Sequence, residues 1–172
     1  MIIMRVHYRT ERVYMLDDYK PIIFNTPAEF DKVELYFAHD IHKGSAQHDT
    51  NKWEGFKKTI LAEPNRFVIF VGDCFDNGIV GSKTSPYEQT SNPFEQKEWT
   101  TEQFCELSDR IVAVVSGNHC NRTTKSVGLF PIYDCCMAAG IKDLYRHYFA
   151  LVDVGVGNRG NSGKQWRYAG YV

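Results

Sequence analysis

Three short apolar runs decide most of what this chain can fold into: Val33–Ala38 (VELYFA), Phe67–Val71 (FVIFV) and Ile111–Val115 (IVAVV). Each is rich in β-branched or aromatic side chains and bounded by polar turns, the pattern of strands buried on both faces of an α/β sheet. The turns after these runs are equally regular. The first run leads into His39-Asp40-Ile41-His42, the second into Gly72-Asp73-Cys74-Phe75-Asp76-Asn77, and the third into Ser116-Gly117-Asn118-His119. Open α/β sheets gather ligands at the carboxyl ends of their strands. Three successive turns therefore deliver Asp, His, Asp, Asn and His to one rim, a donor set suited to divalent transition metals.

The rest of the chain supplies the elements between and around these runs. Met1–Leu16 alternates loosely, with Ile2, Met4, Val6 and Tyr8 on one face, and predicts a β-hairpin within an N-terminal extension over residues 1–30. Pro21–Pro27 predicts an extended or looped connection. Asp49 or Thr50 can cap a helix that carries Trp53, Phe56 and Ile60 on its inner face and Lys52, Lys57 and Lys58 on a wet one. Gly78–Pro93 reads as a long surface loop, leading to a helix that ends at about Ser108. Ile132–Ala139 reads as a helix with Gly140 at its C′ position. Tyr145–Val154 and Gln165–Val172 read as strands joined by a Gly/Asn-rich turn. No linker divides the 172 residues, so a single domain is expected.

Composition narrows the partners. Twenty basic against 21 acidic residues give a net charge of −1, so no global basic field favours nucleic acid. No apolar run reaches the length of a membrane span, and the N-terminus lacks a signal peptide's apolar core. Five cysteines without a C-x-x-C spacing suggest a reduced, cytoplasmic protein.

The spacing of the motif residues carries the chemistry. Asp40 and His42 stand two apart on an extended segment, so a carboxylate and an imidazole can reach one ion. Asp73 leaves the neighbouring strand and can bridge two ions. Asn118 offers a second ion a neutral oxygen. Two ions together can clamp a phosphoryl group and activate water. His119, beside a ligand, can protonate a leaving oxygen, and Asp76 can hold an imidazole N–H in place.

Asp40-Ile41-His42, Gly72-Asp73-x-x-Asp76-Asn77 and Gly117-Asn118-His119 resemble, in order, the first three motifs of the calcineurin-like metallophosphoesterases, over about residues 33–119. The resemblance implies an α/β fold, a two-sheet β-sandwich flanked by helices, with a dinuclear site at one end. It implies that Asp40 and His42 hold the first metal, Asp73 bridges, Asn118 holds the second, and His119 assists the leaving group. The metals implied are two divalent ions, Mn, Fe, Ni or Zn. Arg122, in His119-Cys-Asn-Arg122, resembles an arginine that some members place near the phosphate, and Asn77 joins it as a substrate-binding candidate. The substrate implied is a phosphomonoester or phosphodiester, with nucleotide and nucleic acid among the choices.

Two departures stand out. Cys120 occupies a usually acidic position and reads as a small packed side chain. The family also completes its site with a later His-Gly and a final Gly-His-x-His, whereas only His147 comes after His119 here. Gln165–Val172 looks like the strand leading to that His-Gly, so a C-terminally truncated domain is expected. The alternative is an incomplete or diverged member that serves as a non-catalytic binding or assembly module. Gly155-Val-Gly157-Asn-Arg-Gly160 matches G-x-G-x-x-G but lacks the helix and acidic residue a dinucleotide site needs. Gly163-Lys164 is no P-loop, and His39 reads as structural. His48 reads as a solvated loop histidine, and Trp99, Tyr87 and Phe94 as packing more than base stacking.

Overall fold

The computed structural model describes residues 18–172, which leaves the N-terminal hairpin reading outside the described residues. Among these residues, seven strands form two sheets. Strands β2 (Glu34–Ala38), β3 (Arg66–Val71), β4 (Ile111–Val115) and β5 (Tyr145–Arg146) make an all-parallel sheet in that order. Strands β1 (Ile22–Asn25), β6 (Leu151–Val156) and β7 (Trp166–Tyr171) make a second sheet, parallel between β1 and β6 and antiparallel between β6 and β7. Four α-helices are present among the described residues: α1 (Thr50–Leu61), α2 (Pro93–Glu106), α3 (Cys120–Val127) and α4 (Pro131–Ala138). The chain is thus an α/β fold.

The period-two pleat divides β3 between two cores. Phe67 and Ile69 pack with Val112, Ala113 and Val115 against Ile22, Val152 and Val154 of the second sheet. Val68 and Phe70 point the other way, to Trp53 and Ile60 of α1, Phe104 of α2 and Ile132 of α4. The layers are therefore sheet, sheet, helices. Val112 and Ala113 share one core because the β3–β4 register slips by a residue between Val68 and Ile69.

Local chemistry sets the ends of the helices. The Asp49 side chain accepts from Lys52 N at the start of α1, and Asn92 and Glu95 form a capping box at the start of α2. Gly140, at φ 73°, takes the left-handed conformation just past α4.

Four expectations are corrected. The sheet is not buried on both faces throughout: β2 is an edge strand, and Leu35 and Phe37 are exposed. Pro21–Pro27 contains β1, made a strand by its parallel pairing with β6. Tyr145–Val154 is not one strand, because β5 ends at Arg146 and β6 begins at Leu151 in the other sheet. The break is fixed by polar anchoring: Asp18 accepts from the amides of His147 and Tyr148, and Arg146 donates to the carbonyls of Lys20 and Asp143. Finally, Lys57 is buried rather than wet. Its ammonium reaches Glu106 at 2.8 Å, Glu54 at 3.1 Å and Gln103 at 3.1 Å, while its stem lies between α1 and α2. Burial pushes its pKa down, but the bonds to Glu106 and Glu54 outweigh it and the net shift is upward.

His147 gives the fold a pH dependence. It is buried, with Nδ1 2.8 Å from Tyr145 Oη and its ring against Phe130 and Tyr148. Burial holds its pKa below the usual value, with Asp18 acting weakly the other way. The unfolded chain, with an ordinary imidazole of about 6.5, therefore binds this proton more readily than the native one. The contribution is complete above the unfolded value and is lost as pH falls through it towards the folded value. The melting temperature is expected to drop between about pH 7.5 and 5.5, and the drop to shrink in His147→Gln, as read by circular dichroism.

Candidate metal centre

The three motif turns meet because the chain ties them together with backbone bonds. At the ends of β2 and β3, His42 N donates to Asp73 O at 3.0 Å, Lys43 N to Cys74 O at 3.1 Å, and Asp76 N to Lys43 O at 2.8 Å. The third turn is fastened by His119 N donating to Asp73 Oδ1 at 2.9 Å and by Asn77 Nδ2 donating to His119 O at 2.7 Å. Asp40, His42, Asp73 and Asn77 all have φ between 47° and 50°. Residues other than glycine seldom take this left-handed conformation, and it concentrates where side chains must be aimed at a site. All four such residues among those described belong to the motif turns.

One ligand atom each from Asp40, His42 and Asp73 lies within 4.8 Å of the others. The partners of His42 decide its tautomer. Its Nδ1 stands 3.2 Å from Asp76 Oδ1, a carboxylate oxygen that can only accept, so the proton sits on Nδ1. Its Nε2 stands 3.5 Å from Asp40 Oδ1. A neutral imidazole nitrogen and two carboxylates, the imidazole oriented by a further carboxylate, are the donor set a divalent transition metal takes. Those residues fit an ion. The His39 imidazole, 2.9 Å from Asp40 Oδ2, holds the Asp40 carboxyl below its ordinary pKa, with smaller contributions from His42. Asn118 is exposed and makes no side-chain hydrogen bond among the described residues.

His119 and Arg122 form the other half of the site. His119 Nδ1 donates to the Asp76 carbonyl at 2.8 Å and lies 3.0 Å from Asp76 Oδ1. That leaves Nε2 as an acceptor, and it takes a hydrogen bond from Arg122 Nη2 at 2.9 Å. The rings of His42 and His119 meet edge to face with centroids 4.4 Å apart. Asp76 is therefore the post between two imidazoles. His42, Asp76 and His119 form a second group whose ligand atoms fall within 4.8 Å.

Asn77, expected at the substrate, is turned away from it. It is 1% exposed, and its side chain bonds His119 O and Thr123 Oγ1, which makes it a clamp between the second and third turns. Arg122 is half-buried and spans Asp76 O and His119 Nε2. Cys120 is buried, and burial pushes its thiol up to about 12. His48 is not a solvated loop residue: its Nδ1 donates to Ile41 O at 2.9 Å and its ring packs on Trp99. Trp99 in turn packs on Trp53, whereas Tyr87 and Phe94 are exposed. The Gly155–Gly160 segment runs from the end of β6 into its connection with β7.

Two glutamines went unread in the sequence. Gln89 Nε2 donates to Asp76 Oδ2 at 2.6 Å, and Gln96 Nε2 donates to Gln89 Oε1 at 3.0 Å. Gln96, 0% exposed, also accepts from Asn77 N. This relay ties α2 to Asp76. Gln96 lies with Thr100, Gln103 and Phe104 on one buried face of α2, a spacing that marks the face but not the partner it meets.

No protein-family model, curated protein or solved structure matches this chain. No helix among the described residues is long and apolar enough to cross a membrane.

Proposed function

We propose that this chain is a metal-dependent phosphoesterase of the metallophosphoesterase type. The observation that carries the reading is the convergence of Asp40, His42 and Asp73 from two adjacent strand ends, with His119 delivered beside them by a third. Asp40, His42 and Asp73 would hold one divalent ion, and Asn118 is the candidate for a second. When bound, such ions supply Lewis acidity towards a phosphoryl group.

The chain's own groups do the rest. Asp76 fixes the tautomer of His42, so that Nε2 and not Nδ1 is offered to the ion. Asp76 also holds His119 by Nδ1, which leaves Nε2 as the atom that takes a proton from solvent and passes it to a leaving oxygen. Arg122 donates to that Nε2 in the free site; an anionic phosphate oxygen is a stronger acceptor for a guanidinium and would draw it off. The substrate is thus a phosphomonoester or phosphodiester. The net charge of −1 gives no support to choosing nucleic acid over a smaller ester.

Titration with Mn²⁺ by calorimetry, paired with hydrolysis of bis(4-nitrophenyl) phosphate and 4-nitrophenyl phosphate, tests this. Saturable Mn²⁺ binding is expected, with turnover that EDTA removes and Mn²⁺ restores. Binding without turnover would favour a non-catalytic module, and no binding would end the proposal.

A further inference from the structure

A cavity of about 350 Å³ opens beside β2, the edge strand of its sheet among the described residues, between the end of that strand and α1. Asp40, one of the candidate ligands, lines it, so it adjoins the metal centre. Its wall is aromatic: Phe37 from β2, Trp53 and Phe56 from α1. Trp53 and Phe56 stack on each other at 26° with centroids 5.7 Å apart; Trp53 is buried and spends its indole N–H on Gln103, so the ring surface open to the cavity is that of Phe37 and Phe56. Phe37 is 51% exposed and belongs to neither core, which leaves it without a packing duty among the described residues. A large ring left open beside a polar site is the kind of surface that binds rings.

The opposite wall is polar. Gln47 lines the same cavity, is exposed, and its side-chain carboxamide makes no hydrogen bond among the described residues. A carboxamide presents a donor and an acceptor side by side, which matches the edge of a nucleobase. Lys52, also lining the cavity, is exposed and pairs with Asp49 on the same rim at 3.8 Å. Ring surface, a carboxamide and a volume in the range of small-molecule pockets fit a nucleoside better than an alkyl or a sugar group.

We propose that this cavity is the subsite for the base of a nucleoside phosphate, with Phe37 as the stacking residue and Gln47 reading the base edge. The inference rests on the phosphoesterase reading only for the phosphate end of the ligand.

The test uses the full chain and separates the two readings. In EDTA, adenosine is titrated by calorimetry and followed by saturation-transfer NMR, with ribose as the control. Adenosine is expected to bind and ribose not. Phe37→Ala is expected to weaken adenosine by about 5- to 150-fold, the span that base–aromatic stacking covers, at an unchanged melting temperature because Phe37 is outside the core. Phe37→Tyr is expected to restore binding. In Mn²⁺, 5′-AMP is expected to bind tighter than adenosine and than ribose 5-phosphate. Absence of adenosine binding, or indifference to Phe37→Ala, overturns the subsite. Equal affinity for 5′-AMP and ribose 5-phosphate overturns it as well. Intact adenosine binding with no gain from the phosphate in Mn²⁺ leaves the subsite standing and removes the phosphoesterase reading instead.

Discussion

Asp76→Ala is expected to weaken Mn²⁺ binding by about 10- to 100-fold, the usual effect of removing a group that orients a metal-ligating histidine. Phosphoester hydrolysis is expected to fall further, by about 100-fold or more, because the same change also removes one of the two holds on the histidine assigned to proton transfer. One carboxylate oxygen serves both rings: Asp76 Oδ1 is 3.2 Å from His42 Nδ1 and 3.0 Å from His119 Nδ1. Without it, His42 is no longer required to carry its proton on Nδ1, and the tautomer that presents N–H where a lone pair is needed becomes populated. His119 keeps its bond to the residue 76 carbonyl, so it should loosen less than His42. The other carboxylate oxygen accepts from Gln89, and that amide is left without its acceptor. Asp76→Asn should fall between wild type and alanine, since a carbonyl oxygen in the place of Oδ1 can still accept from the imidazoles while its amide would face the Gln89 donor. Calorimetry with Mn²⁺ reads the first effect and initial rates read the second. A melting curve shows whether the buried truncation also unfolds the chain. An Mn²⁺ affinity unchanged in Asp76→Ala would show that the imidazoles are held by something other than this carboxylate.

How much of this was legible in the sequence depends on the kind of signal. Strands β3 and β4 are continuous apolar runs, and burial on both faces leaves no other reading for five such residues. Helix α1 announced itself by Asp49 and by Trp53 and Ile60 at helical spacing. Helix α3 did not. Its sequence, CNRTTKSV, is short, with one buried residue, no side-chain cap and two β-branched threonines, so propensity does not mark it. It forms because Asn77 and Arg122 fasten its first turn to the second motif. The break after β5 was hidden for a similar reason, since Arg146 and His147 read as polar surface until Asp18 and the Lys20 carbonyl satisfy them.

The same division runs through the site. Asp40, His42, Asp73 and His119 could be named from local spacing, because adjacent parallel strands bring consecutive turn motifs to one rim. Gln89 and Gln96 could not, because a glutamine in a loop or on a helix carries no mark of the partner it will find. Lys57 failed in the other direction. A lysine beside lysines reads as solvent-facing, and only the packing of α1 on α2 supplies the carboxylates that draw it in. The left-handed backbone at Asp40, His42, Asp73 and Asn77 is likewise a product of the assembled turns.

Gly117→Ala is expected to abolish Mn²⁺ binding while lowering stability by only about 1–3 kcal/mol, the usual cost of overfilling a packed site. Gly117 needs no unusual φ; its requirement is space. A methyl group there would fall on the backbone nitrogen and Oδ1 of Asp73. Because one of those atoms is backbone, no rotamer change relieves the contact, and the ends of β3 and β4 must separate. Gly72 faces it from the other side: a methyl at Gly72 would lie 2.9 Å from the Gly117 Cα, and Gly72 in addition sits at φ 89°. The two glycines let adjacent turns approach until His119 N can donate to Asp73 Oδ1. Separation breaks that bond and carries Asp73 off Asp40 and His42, so the ligand set is lost before the fold is. Gly163→Ala is the control, since a methyl there meets nothing and it lies in the β6–β7 connection; its left-handed φ of 65° should cost stability of a similar size without touching Mn²⁺ affinity. Parallel melting curves and Mn²⁺ titrations of the two variants separate the effects. If Gly117→Ala bound Mn²⁺ like wild type, the close approach of the second and third turns would not be what holds Asp73 in the ligand set.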